Sequence, residues 1–333
     1  MNEVTVLQYI TRRVLQFIPT FLLATLLAFL ITQAAPGDFL SALKENPSVR
    51  PETIARLRER FGLDQPVLVQ YFYWLKNMLF NGYLGESFQY HRPVTEIIAG
   101  PFLNSLILVA ISTVLHFAVS IPIGVYSAMR PYSLGDRFFT TMAYLGLGVP
   151  SFFFGLLAIY AMLKLKQSFG WDLPLGGKSS SVLSPDIGEW RRFWDVFLHA
   201  LVPSIILVLR GISSESRFIR GQMLEVINQD FIRTARAKGL ADRKIVYKHA
   251  FRLAVIPTIA GLGGLLPALI GGAGFLEIVF NWPGLTPLQL TALNNQDLYI
   301  LMAVTAIATI LYMVGNLLAD LLLATVDPRI RYS

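Results

Sequence analysis

Long uncharged apolar runs recur along the chain, at residues 17–35, 101–129, 138–163, 253–276 and 298–319. A bilayer core about 30 Å thick takes about 20 apolar residues per helix, so each run predicts a transmembrane span. A sixth run, 196–209, reaches that length only by admitting Arg210 and the polar stretch 211–215. The expected fold is therefore an all-α membrane protein with six transmembrane helices. Placing both termini in the cytoplasm makes residues 1–16, 130–137, 216–252 and 325–333 cytoplasmic. Those pieces hold more than half of the 28 lysines and arginines, the side on which membrane proteins concentrate them.

Between the spans, the largest external piece is 36–100. Residues 51–60 predict a helix with Pro51 in its first turn, closed by Phe61-Gly62, and 67–80 predict an aromatic-rich second helix, together a small cap. The Gly-, Ser- and Pro-rich segment 164–195 is expected to be an external loop with a short helix near Glu189. Arg12 and Arg13 precede the first apolar run as they would in a signal peptide. The run is long for a signal core and ends on Pro36-Gly37-Asp38 without a small-x-small site, so it is expected to be retained. The chain thus divides into a first span (1–35), a cap (36–100) and a five-span core (101–333).

Composition agrees with the pattern: 54% hydrophobic against 15% charged residues exceeds what a soluble core can hide. The net charge of +7 belongs to loops that face anionic lipid and protein partners, and no nucleic acid is needed to explain it. The absence of cysteine excludes disulfides, thiolate metal sites and a cysteine nucleophile. His91, His116, His199 and His249 fall in separate segments without metal-ligand spacing, and no H-E-x-x-H occurs, so no metal or catalytic site is expected. The turn Leu175-Gly176-Gly177-Lys178-Ser179 ends like a phosphate-binding loop. Its leading glycine is replaced by Asp172 and no strand precedes it, so a solvated turn is the better reading.

The segment 216–252 carries the most information. Asn228 or Asp230 suits a helix start, Arg236 and Lys238 suit its end, and Gly239 suits the left-handed residue that closes it. Thr234 and Ala235 form a compact knob between Phe231 and Arg236, and 241–251 predict a second basic helix returning to the membrane. Two readings stand on these residues alone: a helix lying on anionic lipid, or one entering a groove on another protein.

The run Arg233-Thr234-Ala235-Arg236-Ala237-Lys238-Gly239, followed by His249-Ala250-Phe251-Arg252 and Ile256-Pro257, resembles the cytoplasmic coupling loop of bacterial ABC importer permeases. Ala235 and Gly239 keep the general E-A-A-x-x-x-G pattern. Arg233 and Thr234 replace its Glu and first Ala, and the proline arrives late, departures typical of the peptide and nickel branch. Further matches are Ala35-Pro36-Gly37-Asp38, Phe61-Gly62-Leu63-Asp64-Gln65-Pro66, the stretch from Glu277 through Trp282-Pro283-Gly284-Leu285, and Asp327-Pro328-Arg329-Ile330-Arg331, which extend the resemblance along nearly the whole chain.

The resemblance implies a di- or oligopeptide permease subunit in the cytoplasmic membrane. It would work beside a second homologous permease, two ABC ATPase subunits and an external substrate-binding protein. ATP and Mg would bind on the ATPases, leaving this chain without a cofactor or catalytic activity. Asp230, Arg233, Thr234, Ala235, Arg236, Ala237, Lys238, Gly239 and Leu240 would form the ATPase-coupling element. For the pathway or gate, the glycines of the fifth span, Gly271, Gly272 and Gly274 among them, offer either a substrate path or close helix packing. Glu277 and Asp320 are carboxylates at or near membrane depth, where such groups face a cavity or a partner. Glu277 would either meet a peptide's amino group or cap Trp282 and its loop. The same family carrying nickel or another small solute is an alternative. An ATP-independent secondary transporter is a more remote one, having no use for the basic coupling segment.

Overall fold

The computed structural model describes residues 6–34, 51–60, 62–180, 188–262 and 274–326. Among them the regular structure is helical: α1 (Val6–Ala34), α2 (Pro51–Arg60), α3 (Val67–Asn81), α4 (Val94–Met129), α5 (Leu134–Gly148), α6 (Ser151–Phe169), α7 (Glu189–Ile227), α8 (Asp230–Ala237), α9 (Asp242–Lys244), a π-helical turn (Ile245–Ala250), α10 (Phe251–Ala254), α11 (Ile256–Gly261), α12 (Gly274–Val279), α13 (Leu285–Asn294) and α14 (Leu298–Val326). Five described segments are long and apolar enough to cross a membrane: Gln8–Ala34, Val94–Met129, Ser151–Phe169, Glu189–Ile227 and Leu298–Leu323.

Three expectations change. The run 138–163 is two helices, because Val149 before Pro150 is held at φ −109°, ψ 132°; the proline ring clashes with a helical residue at that place. The short helix near Glu189 is instead the start of α7, which continues through Pro203 to Ile227, 39 residues or about 58 Å. Consequently the first part of segment 216–252 is the rigid end of a span and not loop. The middle of the expected fifth span, with Gly271 and Gly272, lies outside the described residues.

The chain forms two compact units. One comprises Val4–Leu103 and Gly284–Val314, and its core joins Phe29 of α1 to Tyr71, Trp74 and Leu75 of α3, Phe88, and Leu298, Met302 and Ala306 of α14. The α1–α3 seam is keyed by Thr25 and Tyr71, whose hydroxyls lie 2.9 Å apart. Both expected cap helices are present. Gly62 at φ 66° and Gly82 at φ 62° close them in the left-handed conformation that a side chain resists. Asp297, fully buried, accepts from the Ser87 hydroxyl and the Gln89 amide.

The second unit contains Asn104–Pro283 and the end of α14. α5 lies along α7, with the Arg217 guanidinium 4.7 Å from the centre of the Tyr144 ring. α4 meets α7 at Gly124, where a Cβ would come within 2.7 Å of the Ser216 carbonyl oxygen and 2.8 Å of Ile219 Cβ. Such an approach is open only to glycine and places the two helices in backbone contact.

Candidate functional site

α8 begins after Gln229, with Asp230 in its first turn rather than as a side-chain cap. It ends as the sequence predicts. Gly239 adopts φ 74°, its amide donates to the Arg236 carbonyl at 2.9 Å, and the Leu240 amide donates to the Ala235 carbonyl at 3.3 Å. These paired bonds form the Schellman closure that a C-terminal glycine permits.

The seat of α8 is apolar. Ile232 (0% exposed) and Ala235 (9%) join Val125 and Ala128 of α4, Ile219, Met223 and Val226 of α7, and Ile245, Val246, Ala250 and Ala254 beyond the turn. Burying the isoleucine side chain is worth about 1.5–3 kcal/mol, and a helix of eight residues needs such an anchor to persist. Ala235 therefore faces inward, so the expected Thr234–Ala235 knob is not presented as a pair; a charge at 235 would disrupt the seat. Phe231, Arg233, Thr234, Arg236, Ala237 and Lys238 form the exposed side. Arg233 reaches Asp230 at 3.4 Å and Arg236 reaches Asp242 at 3.7 Å; both pairs are solvated and add little stability. Arg243, Lys244 and Tyr247 continue the exposed basic and aromatic surface.

The second basic helix takes a different form. Between α9 and α10 the backbone widens into the π-helical turn, so that Ile245 and Val246 face the core while Tyr247 and Lys248 face out. Single π turns of this kind are rare and recur at functional places.

A pair missed in the sequence, a buried aspartate with a partly exposed arginine, steadies the other side of this region. Arg220 Nη2 donates to Asp136 Oδ2 at 3.2 Å, and Nε lies 3.2 Å from Oδ1 without hydrogen-bond alignment. The Tyr132 amide donates to the same carboxylate at 2.8 Å, and the Ser133 hydroxyl caps the Asp136 amide at 3.2 Å. Burial alone would raise the Asp136 carboxyl. The Tyr132 amide, Arg220 and the Ser127 hydroxyl outweigh it and hold the group below the ordinary aspartate value. The legible signal was Ser133-x-x-Asp136, a helix-start box ahead of an apolar run.

Of the pathway candidates, Glu277 and Gly274 are brought together on α12, and both are buried. Ser105 donates its hydroxyl to Glu277 Oε1, and the Trp282 amide donates to the Glu277 carbonyl at 2.7 Å. Trp282 is itself fixed by Nε1 donating to the Asn104 carbonyl, while Asn104 Nδ2 donates to the Pro283 carbonyl. Glu277 is 0% exposed, and its carboxylate is engaged by Ser105 while Trp282 is held through the Glu277 main-chain carbonyl. Asp320 sits half-buried on α14. The glycine turn at 176–177 packs on the same region: the Gly177 amide donates to the Phe280 carbonyl at 2.7 Å, committing it to the fold.

Residues 120–332 match the family described as binding-protein-dependent transport system inner membrane component, and 6–109 match its N-terminal companion. The oligopeptide transport system permease protein AppB of Bacillus subtilis is 39% identical over 97% of this chain and 99% of its own length. A putative peptide permease protein of Brucella ovis is 33% identical over 98% and 99%. The glutathione transport system permease protein GsiC of Salmonella typhimurium is likewise 33% identical over 98% and 99%. The chain belongs to the inner-membrane components of binding-protein-dependent transport systems, as a multi-pass permease of the ABC type.

Proposed function

We propose that this chain forms half of the pathway of an ATP-driven importer of di- or oligopeptides, with both termini in the cytoplasm. The observation that carries the reading is the two-sided character of α8: its inner side is bolted to α4 and α7, and its outer side offers Phe231 among basic residues. A groove on an ATPase that receives this outer side gains a lever on two long helices at once. A helix merely resting on lipid would have no need of so rigid a seat. The peptide cargo is supported by the names of the relatives from Bacillus subtilis and Brucella ovis. In this reading a second homologous permease completes the pathway, an external binding protein delivers cargo, and two ATPase subunits bind ATP and Mg.

The decisive experiment is uptake into vesicles carrying all the subunits. Accumulation of a small peptide should require both ATP and the loaded binding protein, and free amino acids should compete weakly. Tight binding of nickel or a sugar by the partner protein, with peptides excluded, would overturn the cargo assignment. Uptake that continues without ATP would overturn the importer class.

A further inference from the structure

α4, α7 and α11 line an open cavity of about 460 Å³ whose walls include His116, Phe117, Ser214, Glu215, Phe218 and Thr258. Glu215 follows the apolar stretch 196–209 on α7 and is half-buried. Its Oε1 accepts from the Thr258 hydroxyl at 2.7 Å, a neutral partner. The nearest arginine along the helix, Arg217, is turned to the Tyr144 ring on α5, and among the described residues no basic side chain forms an ion pair with Glu215. His116 reaches the cavity because Gly211 leaves room: a Cβ there would come within 2.7 Å of its Nδ1.

A carboxylate has about four acceptor positions, of which the threonine fills one. Ionisable groups within membrane spans are costly and mark solute routes when they face a cavity instead of lipid. The cavity also has two aromatic side chains, Phe117 and Phe218, whose ring faces suit a cation. Its volume admits the end of a peptide but not a long chain.

We propose that this cavity is a binding step for an ammonium group on the transported solute, with Glu215 as its counter-ion and His116 and Ser214 as polar partners. The assignment deepens the peptide-transport reading and rests on it for the identity of the cargo, a peptide amino terminus. Glu277, enclosed by its own hydrogen bonds, is then the wrong carboxylate for that role.

The test uses the assembled transporter in vesicles, with Ser214→Cys as reporter in a chain that has no other cysteine. Dialanine amide, whose only charge is its ammonium, should slow maleimide labelling of that thiol at least threefold during ATP turnover. Its N-acetyl form should leave the rate unchanged. Adding Glu215→Gln should remove the protection, and Glu215→Asp should retain part of it. Equal protection by both compounds, protection by neither, or protection that survives Glu215→Gln would overturn the proposal. Failure of the cargo reading is seen separately, as vesicles that take up no peptide. In that event n-butylammonium replaces the amide, and the same pattern against Glu215→Gln decides the role of the cavity.

Discussion

If α8 couples the permease to its ATPases as proposed, seating and docking fall on neighbouring residues, and Ile232→Ala isolates the first of them. Ile232 is fully enclosed between α4, α7 and the π-helical turn. Removing its buried carbons costs about 3 kcal/mol, because the flanking long helices cannot collapse into the space. A loss of that size weakens the seating of α8 about a hundredfold. The outer side is untouched, so the ATPases should still co-purify with the permease. Their hydrolysis, however, should lose its dependence on the loaded binding protein, and uptake should fall at least tenfold. Phe231→Ala is the counterpart. Phe231 is 39% exposed, so its loss should cost the permease itself only about 1 kcal/mol while reducing ATPase co-purification strongly. The assays are co-purification, binding-protein-stimulated hydrolysis and thermal unfolding of each variant in the same detergent. The reverse result, with Ile232→Ala releasing the ATPases and Phe231→Ala retaining them in a coupled state, would refute the two-sided assignment.

The Asp136–Arg220 contact gives a pH signature. Because the folded carboxyl titrates below its unfolded value, its stabilisation is complete above the ordinary aspartate range and fades as pH falls through the lower folded value. Asp136→Asn should therefore destabilise at pH 7, by about 1–3 kcal/mol given the partly exposed arginine, and the gap to the parent should narrow in strong acid; a pH-independent gap would show that the charge is not what matters. The topology is tested by single thiols at exposed positions: Ser179→Cys should react with an impermeant reagent in intact cells, and Lys238→Cys only after permeabilisation. The opposite pattern would invert the orientation and remove α8 from reach of cytoplasmic ATPases.

Several features were legible from the chain alone because their causes are local. Apolar runs announced the long helices; Pro51 and Gly62 bounded the first cap helix; and Gly239 closed α8 at the expected residue. A proline or a left-handed glycine acts through its own backbone and needs no knowledge of the rest of the molecule. Local signals also misled. Pro150 was passed over inside one long apolar run, and the polar residues after Leu209 hid the continuity of α7, although a helix does not end where its hydrophobicity does.

What faces what was decided by tertiary structure. In sequence Ala235 and Thr234 are equal candidates for an outward knob; packing on Ile219 and Met223 turns the alanine in and leaves the threonine out. Glu277 and Glu215 are both acids near membrane depth. A serine 172 positions away engages one in a buried hydrogen bond, and the other is left beside a cavity lined from α4, α7 and α11. Such outcomes depend on the rotation of each helix about its axis. That rotation is set by the summed burial of many side chains from distant parts of the chain, so no local pattern encodes it.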